Sequence, residues 1–184
     1  EKEAEKVFSQ TFPAIHRHMQ KYKEMLIARD DQGKYYWELR SCKYWNIFEE
    51  EKIVWGNLAA EPKFAFAGKG FYVSAPATTI VSSSKYILGI LNSKIARYIV
   101  SQNAAERQGG FLEYKPMYVS KLSIPDIYPE QQKPIFELVD RILVTKGVNP
   151  QADTSGLECE IDELVYQLYG LTEDEIAIVE GKTA

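Results

Sequence analysis

The spacing of apolar side chains predicts helices toward both ends of the chain and short strands between them. From Pro13 to Arg29, Ile15, Met19, Tyr22 and Leu26 recur at i, i+4, i+7 and i+11, which is one face of an amphipathic helix. Thr11 stands where a cap is needed, and Pro13 suits a first turn. Asp30-Asp31-Gln32-Gly33 breaks that helix, and the aromatic run Lys34 to Arg40 (KYYWELR) reads as a strand or a packed extended segment. In the middle third, Lys52 to Trp55, Lys63 to Ala67, Phe71 to Val73 and Thr78 to Val81 read as strands, with Gly68-Lys69-Gly70 as a three-residue hairpin loop.

A helix is expected from about Ser84, its apolar face made by Ile87, Leu88, Leu91, Ile95 and Ile99, with a second cap near Asn92-Ser93. Gly109-Gly110 marks the loop after it. Ser120 to Asp126 alternates apolar and polar positions up to Pro125. The next helix carries Ile135, Leu138, Val139, Ile142 and Leu143, begins near Glu130 or Gln131 so that Pro134 falls in its first turn, and stops at Gly147. Two capping boxes, Ser155 with Glu158 and Thr172 with Glu175, open two last helices, the first ended by Gly170. The expected class is α+β: a mixed domain with short, mostly antiparallel strands in the middle, flanked by an N-terminal helix and a C-terminal helical subdomain. The expected division is residues 1–126 for the strand-bearing domain and 127–184 for the helical end.

Composition changes this picture little. With 184 residues and 45% hydrophobic side chains the chain can bury an ordinary core. No apolar run reaches the roughly 18 residues of a membrane span and no signal-peptide stretch opens the chain, so no membrane association and a cytoplasmic setting are expected. Starting at Glu1 without Met, the chain reads as the interior of a longer protein. Cys42 and Cys159 match no metal-ligand spacing.

Charge adds more. From Lys63 to Lys121 eight basic residues face two acidic ones, whereas from Gly147 to Ala184 nine carboxylates face Lys182 alone. Such segregation suits either a basic face for a polyanion with an acidic end turned away, or two solvated faces of one protein.

The vocabulary of catalysis is absent: there is no phosphate-cradling Gly-rich loop, no His-Glu-x-x-His and no nucleophile elbow. His16 and His18, two apart on a helix, point to different faces and cannot share a metal. Glu49-Glu50-Glu51 reads as a solvated turn, and Glu173-Asp174-Glu175 sits at a helix N-terminus, where carboxylates are favoured. Neither catalytic, metal nor cofactor-binding residues are assigned. What remains is a basic and aromatic middle. Lys34, Tyr36, Arg40, Lys43, Tyr44, Lys63, Lys69, Ser82, Ser83, Ser84, Lys85, Arg107 and Lys115 are candidates for contact with double-stranded DNA. Cations neutralise phosphates, hydroxyls donate to phosphate oxygens, and Arg or Lys reads guanine edges. For the aromatics a core role is the alternative.

The strings FPAIHRHMQKYKEMLIARDDQGKYYWELRSC (Phe12 to Cys42), KIVWGNL (Lys52 to Leu58), KYILGILNSKIARYI (Lys85 to Ile99), GGFLEYKPMYVSKLSIP (Gly109 to Pro125) and IDELVYQLYGLTEDEIAIVE (Ile161 to Glu180) follow one another in an order that resembles the C-terminal specificity region of TaqI-like adenine-specific DNA methyltransferases and type IIG restriction–modification enzymes. The resemblance implies a DNA target recognition domain without chemistry of its own. Its partner would be a methyltransferase domain, with or without a nuclease, on the same polypeptide. S-adenosylmethionine would bind that catalytic domain, whose Asn-Pro-Pro-Tyr-like motif does not occur here, since Asn149-Pro150 is followed by Gln151. The resemblance further implies that the segment after KYYWELR, to about Ser84, contacts bases, and that the helices after SKLSIP serve as scaffold. A nuclease fragment using scattered carboxylates and a protein-interaction module built on the acidic end are the other readings.

Overall fold

A computed structural model describes residues 1–182 and divides the chain into two compact units, Glu1–Trp45 and Asn46–Ala184. Helices and short antiparallel strands make it an α+β protein, as the periodicities predict.

In the first unit a helix not anticipated from the sequence, α1 (Lys2–Thr11), comes first, and the expected single helix over residues 13–29 is two, α2 (Pro13–Gln20) and α3 (Lys23–Ile27). Pro13 has no N–H to continue α1, so the chain bends at Phe12 and restarts. The segment 34–40 is not a strand. Its backbone is satisfied by side chains instead: Arg29 donates to the carbonyls of Tyr36 (3.1 Å) and Glu38 (2.7 Å), and the Glu38 carboxylate accepts from the N–H of Lys34 and Tyr35. The Trp37 ring stacks on Phe8 and Tyr35.

The second unit is built on β1 (Lys52–Trp55), the central strand of a sheet ordered β3-β1-β4, where β3 is Phe64–Ala67 and β4 is Thr78–Val81. Lys52 faces both Ala67 and Val81, and Trp55 faces both Phe64 and Thr78. The expected Gly68–Gly70 hairpin is therefore a correction: β3 and β4 do not pair with each other. Residues 68–77 instead lead from the Lys52 end of β1 back to its Trp55 end, and Phe71 to Val73 lies in this connection, outside any strand. A second sheet, β2-β6-β5, joins β2 (Leu58–Ala59), β5 (Glu106–Arg107) and β6 (Phe111–Glu113), so Gly109-Gly110, both at positive φ, close a hairpin.

Side chains alternate across a strand, so Ile53 and Trp55 share one face of β1 with Phe64 and Phe66 of β3. That face is buried in the core with the helices α4 (Lys85–Leu91) and α5 (Lys94–Asn103). The expected re-capping at Asn92-Ser93 is present, since the Ser93 hydroxyl accepts from the N–H of Ala96. The short α6 (Pro116–Val119) leads to α7 (Pro129–Val148), α8 (Ser155–Tyr169) and α9 (Glu173–Val179). Pro134 lies past the first turn of α7, a departure from the expected start. The Ser155 box does not form, because Thr154 is the N-cap and its hydroxyl binds Glu158. The Thr172–Glu175 box does form. The expected boundary at 126/127 falls inside the second unit, where one core runs from Ile53 through Leu88 to Val139 and Val165.

Two polar features test this core. Tyr114 is 1% exposed and its hydroxyl has no hydrogen-bond partner among the described residues; burial pushes it up to about 12. Removing an unpaired buried hydroxyl costs nothing, so Tyr114→Phe should leave the urea midpoint unchanged or raise stability by up to ~1 kcal/mol. A loss larger than that would mean the hydroxyl has a partner.

Glu180, just past α9, is held by Lys182 and by Lys94 of α5, whose Nζ lies at 2.9 Å, and these cations bring its carboxyl down to about 2. A lowered carboxyl stabilises the fold above its ordinary value near 4.5, and this contribution is lost as pH falls toward 2. Neighbouring Asp162 opposes the trend, because burial raises its carboxyl and protonation relieves that cost. The α9 amide resonances should therefore shift and broaden between pH 4.5 and 2, and Glu180→Gln should remove most of that transition. Identical acid titrations of the two proteins would contradict the assignment.

Candidate nucleic-acid interface

The structure places the thirteen candidates in three groups. In the first unit Lys34, Arg40, Lys43 and Tyr44 are exposed, Lys34 lying over the Tyr35 ring and Arg40 3.7 Å from Asp31. Tyr36 is a correction. It is 3% exposed, its hydroxyl donates to Glu5 at 2.8 Å, and burial with the adjacent carboxylate pushes the phenol up to about 12. Glu5 also accepts from Gln20 and Lys23, and the Tyr36 bond is the largest cause of its lowered carboxyl. The tyrosine belongs to the packing of α1 against α2 and the 33–38 loop, and offers no ring surface to a ligand.

The second group lies at the Lys52 end of the β3-β1-β4 sheet. Because Lys52 is opposite Ala67 and Val81, the residues that follow those two positions emerge together there. A cleft of about 210 Å³ is lined by Glu51, Gly68, Ser83 and Lys85 among others, and Lys69 projects from the 68–77 connection beside it. Within this group the roles divide. Ser84 caps α4 by accepting from the Ile87 N–H, and the Ser82 hydroxyl accepts from the Ser84 N–H, so both shape the turn. Lys85 pairs with Asp140 and covers the Phe136 ring. Lys69 and Ser83 are exposed, and Lys69 has no ion-pair partner among the described residues.

The third group lies toward the other end, where Trp55 donates its indole N–H to the Tyr114 carbonyl at 2.7 Å and ties the two sheets together. Lys63 precedes Phe64 there and is exposed. Lys115 follows Tyr114 and Arg107 lies on β5, and both are held by Glu113. Glu113 Oε1 accepts from Arg107 Nε (2.9 Å) and Nη2 (2.5 Å), and Oε2 meets Lys115 Nζ at 2.6 Å. The two cations hold the Glu113 carboxyl below its ordinary range, Lys115 contributing most. Glu113 itself is buried, while the Arg107 side chain remains 57% exposed. One buried carboxylate thus holds two outward cations in fixed positions with one net positive charge. A fork held this way loses less freedom when it binds an anion than an unrestrained side chain does.

Glu113 was not among the candidates. Its signal is faint: an acidic residue two positions before a lysine and six after an arginine, across a Gly-Gly turn.

Among the described residues no cluster of His, Cys, Asp and Glu could hold a metal ion. No described helix is long and apolar enough to cross a membrane. Residues 14–124 match the family model of the TaqI-like C-terminal specificity domain. That is more than half of the chain, which belongs to this family.

Proposed function

We propose that this chain reads double-stranded DNA and holds its target for adenine methylation by an S-adenosylmethionine-dependent domain of the same polypeptide, with or without a nuclease. The family match over residues 14–124 carries this reading. The Glu113-held Arg107 and Lys115, and the Lys69–Ser83 end of the first sheet, supply the chemistry. Methylating an adenine requires turning it out of the duplex, and a separate gripping domain both selects the site and steadies it. Proposed with it are a cytoplasmic setting and a scaffold role for α7 to α9.

Duplexes enriched by this chain from a randomised library, titrated by fluorescence anisotropy at several salt concentrations, test the reading. Binding should fall with salt along a straight log–log line, and Arg107→Ala should make the slope shallower by about one. Glu113→Gln should weaken binding several-fold even though it removes a negative charge, because it releases both cations. Tighter binding by Glu113→Gln would show that net charge, not positioning, governs the contact, and a chain that binds no duplex would overturn the function.

A further inference from the structure

The connection from Gly68 to Ala77 exposes Phe71 to solvent at 66% of its surface, yet it is tied down on both sides of that residue. Before it, Lys52 Nζ donates to the Gly68 carbonyl at 2.9 Å, and the Gly70 N–H donates to the Phe48 carbonyl at 2.9 Å. After it, the Tyr72 hydroxyl donates to Glu49 at 2.8 Å, and the Tyr72 ring packs on Phe48 at 4.9 Å. Gly70 takes positive φ, which sets the direction in which the chain leaves the turn. An apolar ring held out into water on an anchored loop is spending hydrophobic free energy in the isolated molecule. Phe71 has no polar atom on its ring, so it cannot read a base edge by hydrogen bonding. Its flat faces can stack. The neighbours match a duplex: Lys69, two residues away, is an exposed cation suited to a phosphate, and Ser83 is an exposed hydroxyl at the same end of the sheet.

We propose that Phe71 is a stacking wedge, inserted against a base step of the bound duplex and unstacking it, with Lys69 seated on the adjoining backbone. Apolar wedges beside phosphate-binding cations open base steps in this way, and stacking on an aromatic ring tolerates any base. The inference rests on the DNA reading above. It adds an unstacking role at one named residue, independent of the Arg107 and Lys115 contacts.

The test places 2-aminopurine at each adenine position in turn within a duplex enriched by this chain, and follows its fluorescence at saturating protein. With the unaltered chain, one position should brighten several-fold on binding as its stacking is broken. Phe71→Ala should bind about tenfold more weakly with an unchanged salt slope, and at saturation the brightening should vanish. Phe71→Trp should restore it. Lys69→Ala should do the reverse, lowering the slope by about one while keeping the signal at saturation. Because Phe71 is mostly exposed, its removal leaves the fold intact, which circular dichroism verifies. Brightening that persists in Phe71→Ala overturns the wedge and makes the ring a docking point for another surface. Binding without brightening at any position also overturns the wedge but leaves the DNA reading standing, whereas absence of all binding removes both.

Discussion

Lys52→Met should lower the stability of the second unit by about 3 kcal/mol, roughly 1 kcal/mol for each hydrogen bond to a backbone carbonyl that is lost. Lys52 is 0% exposed on the central strand, and among the described residues no carboxylate pairs with it. Its ammonium spends all three donors on the carbonyls of Phe48 (3.0 Å), Glu50 (2.7 Å) and Gly68 (2.9 Å). Phe48 lies in a 3₁₀ helix, Glu50 in the turn after it and Gly68 in the connection after β3, so one side chain stitches the segment before β1 to that connection. Met keeps the stem and its packing and removes only the donors. Urea unfolding followed by circular dichroism should show a lower midpoint with an unchanged m-value, since the surface exposed on unfolding is the same. A shift below ~1 kcal/mol would mean that water reaches these carbonyls and replaces the lysine. The same substitution should reduce the 2-aminopurine signal, because the loop carrying Phe71 loses its anchor at Gly68.

Gly89→Val should cost ~3 kcal/mol or more by forcing α4 away from α7. Glycine in a helix interior ordinarily loses about 1 kcal/mol relative to alanine, so its presence in α4 needs a reason. The reason is contact: a Cβ at residue 89 would lie 2.7 Å from Ile135 Cγ2 and 3.1 Å from Val139 Cγ2. The first distance is closer than real Cβ atoms approach, and the obstructing methyl is a branch next to the α7 backbone with little freedom to move. Valine adds two further methyls. Pairing Gly89→Ala with Ile135→Leu, which removes the branched methyl, should recover stability beyond the sum of the single changes, and strict additivity would contradict direct contact. A displaced α4 also carries Ser84 and Lys85 with it, so the rim of the cleft beside Lys69 should change with the core.

Much of the second unit's helical content is legible along the chain because helices are encoded locally. The apolar spacing of Ile135, Leu138 and Val139, the Ser93 re-cap, the Thr172 box and the positive-φ stop at Gly170 each lie within a turn or two of what they specify. Strand positions over 52–55 and 78–81 were legible for the same reason. Their partners were not. Gly68-Lys69-Gly70 has the composition of a hairpin turn, and nothing nearby says that β1 occupies the place between β3 and β4. In the first unit an aromatic run with strand-like composition is shaped instead by Arg29 and Glu38, whose side chains satisfy the backbone that a sheet would otherwise have satisfied. The candidate contacts divide in the same way. Composition pointed to the cations and hydroxyls of the basic middle, but burial withdrew Tyr36, helix capping employed Ser84, and Asp140 engaged Lys85.

Read along the chain, the residues specify the α+β class, the positions of most helices and of the three strands of the β3-β1-β4 sheet, and, through strings spread along the chain, the family. Three-dimensional packing alone makes β1 central, buries Lys52 as a tie between the segment before β1 and the 68–77 connection, sets Glu113 between Arg107 and Lys115, and leaves Phe71 exposed on an anchored connection. The difference is one of range. Periodicity and capping act over one or two turns of chain, whereas the Trp55 bond to the Tyr114 carbonyl spans 59 residues and the Lys52 bond to Gly68 spans 16, and such partners are chosen by packing that no local window contains.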